Sequence, residues 1–122
     1  MTSPQITATF VLDANGVPER IESGNLTHYK IRLKVDNAPE DTYAVTYRLH
    51  DSYHTPVREA IDRATLFAED LTSYGDYSVQ AKVRTRDGAF SVARDLSRAL
   101  EAGHADALTG PIVTALNEIK GR

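Results

Sequence analysis

Residues 29–36 read Tyr-Lys-Ile-Arg-Leu-Lys-Val-Asp, an unbroken alternation of apolar and charged side chains. Side chains of an extended strand point to opposite faces in turn, so this segment buries Tyr29, Ile31, Leu33 and Val35 while Lys30, Arg32, Lys34 and Asp36 stay in water. A helix would scatter the same residues around its circumference. A strand that is wet on one face belongs to an antiparallel sheet rather than to a parallel one. The same period of two recurs at Ile6, Ala8, Phe10 and Leu12, at Tyr43, Val45, Tyr47 and Leu49, and at Tyr77, Val79, Ala81 and Val83. Turn-forming residues separate the runs: Asp13-Ala-Asn-Gly16, Asn37-Ala-Pro-Glu-Asp41, and Asp87-Gly88, a hairpin signal after which Phe90 and Val92 begin the returning strand. Residues 17–25 carry no period and read as a loop. Residues 57–70 suit a short helix or an edge strand, and we read them as strand.

Beyond residue 94 the period changes to that of a helix. Leu96, Ala99 and Leu100 share one face, and Gly103 reads as the stop. A second helix starts with Thr109 at its cap and Pro111 in its first turn, with Ile112, Leu116 and Ile119 as its stripe. Several short antiparallel strands followed by helices predict a mainly β fold, a sandwich over residues 1–94 with a C-terminal helical extension over 95–122. The helices are expected to pack on one end of the sandwich, or to dock on a partner or a second copy of the chain.

With 122 residues the chain holds one compact domain. It has 41% hydrophobic and 25% charged residues, a globular mixture, and no apolar run approaches the roughly 18 residues of a membrane-spanning helix. The first residues, Met-Thr-Ser-Pro-Gln, lack the basic and apolar features of a secretory signal, so a cytoplasmic protein with no membrane association is expected. Zero cysteines exclude disulfides, thiolate metal ligands and a thiol nucleophile. Arginine outnumbers lysine and alanine is frequent, a usage that fits a GC-rich bacterial genome. A net charge of −3 argues against a generally basic, nucleic-acid-binding surface. A local basic face would arise if Lys30, Arg32 and Lys34 shared a sheet with Lys82, Arg84 and Arg86, and a solvated strand face is the ordinary reading of such runs.

Chemistry-bearing residues concentrate in two loops. His50 and His54 have the i, i+4 spacing of a helical metal pair, but a strand ends at His50 and Pro56 follows, so ordinary loop histidines are expected and neither metal nor cofactor. Asp51, Ser52, His50 and His54 hold the residue types of a hydrolase triad without a Gly-x-Ser-x-Gly elbow, which favours a serine hydroxyl held by a neighbouring histidine over an enzyme. Tyr43, Tyr47 and Tyr77 follow the strand alternation and belong to the core or its edge. Tyr53 and Tyr74 stand in loops beside strand ends, where each covers its own loop or the two form the walls of a slot for a flat group.

The segment Val45-Thr-Tyr-Arg-Leu-His-Asp-Ser-Tyr53, followed by Pro56-Val-Arg58, resembles the central signature of the YEATS domain: a strand ending in Leu-His, then x-Ser-aromatic, then a proline and a basic residue. Ser73-Tyr74-Gly75-Asp76-Tyr77 is similar to the family loop Gly-(Trp/Tyr)-Gly-x-Phe. The likeness spans residues 44–87, with Thr27-His28-Tyr29 echoing a family Thr-His-x-Trp segment and the C-terminal helices outside it. Prokaryotic YEATS-like domains, rather than chromatin readers, are the nearest expected relatives. The resemblance implies an immunoglobulin-like β-sandwich that binds an acylated protein or peptide without catalysis. It implies that Tyr53 and Tyr74 sandwich the acyl amide, that Ser52 and the Tyr74 backbone N–H hold its carbonyl, that His50 orients Ser52, and that Gly75 lets the chain pass close to the ligand. Ser73 stands where the family has glycine, which would narrow the channel or stiffen the loop, and tyrosine replaces phenylalanine at 53 and 77. Leu26 occupies the region from which the family often contributes a third aromatic. The alternative is an interaction scaffold whose slot is silent and whose Ile112, Leu116 and Ile119 stripe binds a partner.

Overall fold

The computed structural model describes residues 3–121. Its strands are β1 (Gln5–Phe10), β2 (Arg20–Ser23), β3 (Leu26–Asp36), β4 (Thr42–Arg48), β5 (Val57–Ala60), β6 (Glu69–Ser73), β7 (Ser78–Thr85) and β8 (Gly88–Asp95), followed by helices α1 (Leu96–Gly103) and α2 (Gly110–Lys120). All pairings are antiparallel. One sheet is centred on β3, with β1 and β2 along one edge and β6 along the other; the second has the order β5-β4-β7-β8. The inward residues of β1, β3, β4 and β7 interdigitate between the sheets as the alternation predicts, with Ile31, Leu33, Val45, Tyr47, Val79 and Val83 all buried.

The differences from the sequence reading have local causes. Tyr43 is 58% exposed while Ala44 is buried, because β4 slips against β7 between Thr42 and Ala44. An extra residue at such a bulge sends the side chains before it to the opposite face from those after it. Residues 20–23 form a strand although no period marks them, since β2 is exposed along its whole length and has no inner face to record. The stretch 57–70 divides into β5, a 3-10 turn at Arg63–Thr65 and the start of β6, with left-handed Leu66 (φ 61°) and Phe67 (φ 57°) reversing the chain. The hairpin between β7 and β8 forms one residue earlier than its sequence signal: Thr85 pairs with Gly88 across Arg86-Asp87, and Gly88 takes φ 144°. The two basic runs lie on different sheets and so make no common face; Arg32 pairs with Asp70 (2.8 Å) and Lys30 with Glu19 (3.8 Å).

Helix α1 lies along β1 and also touches β8, filling the side of the sandwich where the two sheets end, and α2 packs on α1. Ile112, Leu116 and Ile119 are buried in the same core as the strands, so the stripe that could have served a partner is used within the chain. Thr109 stands at the N-cap position of α2 without a side-chain capping bond. The Tyr29 hydroxyl donates to Glu118 Oε2 (2.6 Å), tying α2 to β3, and burial together with that carboxylate pushes its pKa up to about 12. Gly103 ends α1 for a reason other than a left-handed cap. A Cβ built there would overlap the Ala8 carbonyl oxygen and sit 2.8 Å from its carbon, so only glycine lets the helix end press on β1. Next to it, buried His104 accepts the Phe10 N–H on Nε2 (2.9 Å) and stacks on the Phe10 ring. Among the described residues no helix is long and apolar enough to cross a membrane.

Candidate functional site

At one end of the sandwich the chain leaves β4, enters β3 and passes from β6 to β7, and these segments surround a cavity of about 450 Å³. His28 lines it from β3. His50, Ser52, Tyr53 and His54 come from the β4–β5 loop, and Thr72 to Tyr77 from the end of β6 and the loop after it. The β4–β5 loop is closed by its own backbone: Leu49 N–H donates to the Pro56 carbonyl (2.7 Å) and Tyr53 N–H to the His50 carbonyl (3.1 Å).

Within that loop His50 Nδ1 lies 2.8 Å from Ser52 Oγ and also accepts the Ser52 backbone N–H (3.1 Å). A ring nitrogen that accepts an N–H carries a lone pair, which places the proton of the neutral imidazole on Nε2. The Ser52 hydroxyl, 2.8 Å from that same lone pair, is held in place by donating its proton to Nδ1. Among the described residues no carboxylate hydrogen-bonds to the His50 ring, which lies edge-on to Tyr77 instead (5.8 Å between centroids). No three His, Asp or Glu side chains converge as metal ligands among the described residues.

The tyrosines are fixed by their hydroxyls. Tyr77 donates to the Tyr53 hydroxyl (3.1 Å), which donates to the Thr72 carbonyl (2.7 Å). Burial and the Tyr53 partner push the Tyr77 pKa far above the ordinary phenol value, keeping it a neutral donor. The Tyr53 ring packs against Tyr77 at 5.8 Å, and the Arg58 guanidinium stands 5.7 Å over it. Both hydroxyls are thereby engaged with the protein. Tyr74 is 43% exposed and meets the edge of His28 at 5.2 Å. Its backbone N–H has no protein acceptor among the described residues. Ser73 is buried and spends its hydroxyl on the loop, donating to the Gly75 carbonyl (2.7 Å) and accepting the Gly75 N–H (3.3 Å). The serine in place of glycine therefore stiffens the turn that carries Tyr74.

The structure brings His50, Ser52, Tyr53, Ser73, Tyr74 and Gly75 to one cavity and leaves Leu26 outside its lining. Leu26 opens β3 opposite Ser23, and His28, two residues along the strand, is the ring that β3 brings to the cavity. The Thr27-His28-Tyr29 echo was the available signal for it. Thr72 contributes through its backbone carbonyl, which no side-chain pattern can announce. Asp76 lines the cavity and reaches out of it to Ser97 on α1, accepting the backbone N–H (2.9 Å) and the hydroxyl (2.7 Å).

A family model of the prokaryotic YEATS domain matches residues 29–97, more than half of the chain and including every residue that lines the cavity except His28. No curated protein matches. Among solved structures, the crystal structure of the yeast AF-9 homolog protein Yaf9 superposes with a TM-score of 0.53 at 19% identity, covering 76% of this chain and 65% of that one. The chain thus spans slightly less than two thirds of that relative. A structure of the Yaf9 YEATS domain recognising an H3K122suc peptide gives a TM-score of 0.54 at 19% identity, covering 80% of this chain and 70% of that one. At such identities the likeness is one of fold, an immunoglobulin-like antiparallel β-sandwich. The match over residues 29–97 goes further, and this chain belongs to the prokaryotic YEATS domain family.

Proposed function

We propose that the protein is a non-enzymatic binding module that takes an acylated lysine, or a similar acyl amide, into the cavity between Tyr53 and Tyr74. The observation that carries this reading is the His50–Ser52 pair, 2.8 Å apart, opening into the same cavity as those two rings. In this reading the Ser52 hydroxyl turns its proton from Nδ1 to the acyl carbonyl, the Tyr74 N–H donates to the same oxygen, His50 keeps hold of Ser52 through its backbone N–H, and Gly75 lets the backbone approach the ligand. Leu26 stays near the slot without walling it. An unmodified lysine would bring an ammonium ion into a largely aromatic site and lose its hydration, a cost that acylation removes. A chain lacking the amide oxygen would leave two donors unpaired. The binding unit is the sandwich, assigned to residues 1–94, and residues 95–122 form an extension whose helices α1 and α2 pack on it. Family membership supports a binding module, and the Yaf9 domain that recognises an H3K122suc peptide supports a modified peptide as partner.

Amide NMR during titration with a crotonyl-lysine peptide tests the reading. Resonances of His50, Ser52, Tyr53, Ser73, Tyr74 and Gly75 should move with the acylated peptide and stay still with the unmodified one. Tyr74→Ala should abolish the response. No movement with either peptide would refute lysine-acyl reading by this slot.

A further inference from the structure

We infer that the C-terminal helix α1 positions the aromatic loop of the slot through Asp76 and Ser97, so that ligand affinity is set in part by a residue outside the cavity. Helix α1 has no side-chain cap of its own at its N-terminus. The first backbone N–H groups of any α-helix lack intrahelical acceptors. Asp95 sits at the N-cap of α1 but its side chain makes no capping bond. The aromatic loop supplies the acceptors instead: Leu96 N–H donates to the Tyr77 carbonyl (2.8 Å) and Ser97 N–H to Asp76 Oδ1 (2.9 Å). The Ser97 hydroxyl then donates to Asp76 Oδ2 (2.7 Å), so both carboxylate oxygens are held. The location is favourable to a carboxylate, since the positive end of the helix dipole lies there. Ser97 is 5% exposed and does not line the cavity, whereas Asp76 does, immediately after Tyr74-Gly75. Topology makes the contact possible, because Ser78 pairs with Asp95 and α1 therefore begins beside the loop that opens β7.

Two fixed points therefore bracket Tyr74. Ser73 grips Gly75 from the β6 side, and α1 grips Asp76 from the other. Releasing the second lets the loop sample shapes in which the Tyr74 ring leaves its place against His28 in the cavity wall. The inference depends on the acyl-lysine reading for its ligand but not for its geometry, and two readouts keep the failures apart.

The variant is Ser97→Ala in the full chain, with Ser97→Thr as rescue and Glu101→Gln, on the exposed side of α1, as control. In ligand-free protein, amide hydrogen exchange at Gly75, whose N–H is held by Ser73 Oγ, should quicken roughly threefold to tenfold in Ser97→Ala, the loss of one charge-assisted bond, while Val45 and Val83 in the sheet keep their rates. Affinity for the crotonyl-lysine peptide should fall by a similar factor, Ser97→Thr should restore it, and Glu101→Gln should leave both readouts unchanged. Asp76→Asn combined with Ser97→Ala should be no worse than the more damaging single change, as two partners in one contact require. Unchanged loop exchange in Ser97→Ala overturns the inference, as does exchange that quickens equally in the loop and the sheet. Should the wild type ignore the peptide while loop exchange still responds to Ser97→Ala, the positioning stands and the acyl reading falls.

Discussion

Replacing Gly103 with alanine adds a single methyl group at a helix terminus, a change that ordinarily raises helix stability by up to about 1 kcal/mol. Here the opposite is expected. Carbon atoms pack best at about 3.5–4.0 Å, and the new Cβ would lie 2.8 Å from the Ala8 carbonyl carbon and 3.1 Å from Thr9 Cγ2 while overlapping the Ala8 oxygen. The end of α1 must therefore retreat from β1 by about 1 Å, which forfeits a quarter to a half of the dispersion attraction across the affected contacts. His104 is the next residue, and a shift of that size takes its 2.9 Å bond to Phe10 N–H out of range. An orphaned buried N–H costs about 1–3 kcal/mol, and overpacking adds a comparable amount. A net loss of about 2–4 kcal/mol follows once the helix propensity of alanine is deducted. With an unfolding entropy of about 2.1 cal/mol/K per residue, a chain of this length should melt about 8–15 °C lower. Thermal unfolding by circular dichroism, checked by urea denaturation, measures it. Gly110→Ala is the internal control, because a Cβ at the first residue of α2 meets nothing within 4 Å and should leave the midpoint unchanged or slightly raised. A Gly103→Ala midpoint equal to or above wild type would refute the account of close approach between α1 and β1.

Other outcomes follow from the same geometry. Tyr53→Phe removes the acceptor of the half-buried Tyr77 hydroxyl and should cost about 1 kcal/mol in urea unfolding, whereas Tyr53→Phe with Tyr77→Phe should cost no more than the single change, since both hydroxyls then leave together; strict additivity would contradict the relay. His104 accepts a proton donor in a buried site, and desolvation holds its pKa below the ordinary histidine value. The unfolded chain then binds the proton more readily than the folded one, so this contribution is complete above the unfolded pKa of about 6.5 and is lost as pH falls through the folded value, by at most about 1.4 kcal/mol per pH unit. Urea midpoints at pH 7.5 and 5.5 should show that loss in wild type and less of it in His104→Gln, which keeps an acceptor but cannot titrate.

Much of the sandwich was legible because burial on one face writes a period of two into the sequence. Strand β3, in which every second residue from Tyr29 to Val35 is buried, is the clearest example. Legibility failed where that cause was missing. Strand β2 has no buried face, and Tyr43 precedes a slip in register that depends on the partner strand β7 and not on any residue of β4 alone. In the site, residues whose own chemistry stands out, such as Ser52 beside His50 or Tyr74 in a loop, could be singled out from type and spacing. His28 could not, because its place beside Tyr74 is set by the pairing of β3 with β6, which brings Tyr29 opposite Ser73. The reach of Asp76 to Ser97 spans 21 residues and two elements, a distance over which local pattern carries no information.

The filled opening between β1 and β8 bears on how readily one copy of the protein could extend the sheet of another. Each of these strands ends a sheet, and β8 carries the uncharged run Gly-Ala-Phe-Ser-Val-Ala at residues 88–93, without proline or lysine. Bare edges of that kind are templates on which another chain can continue the sheet. Arg94 donates across the opening to the Ile6 carbonyl (3.0 Å), and α1 lies over the gap. The helical tail therefore acts as a guard against edge-to-edge aggregation.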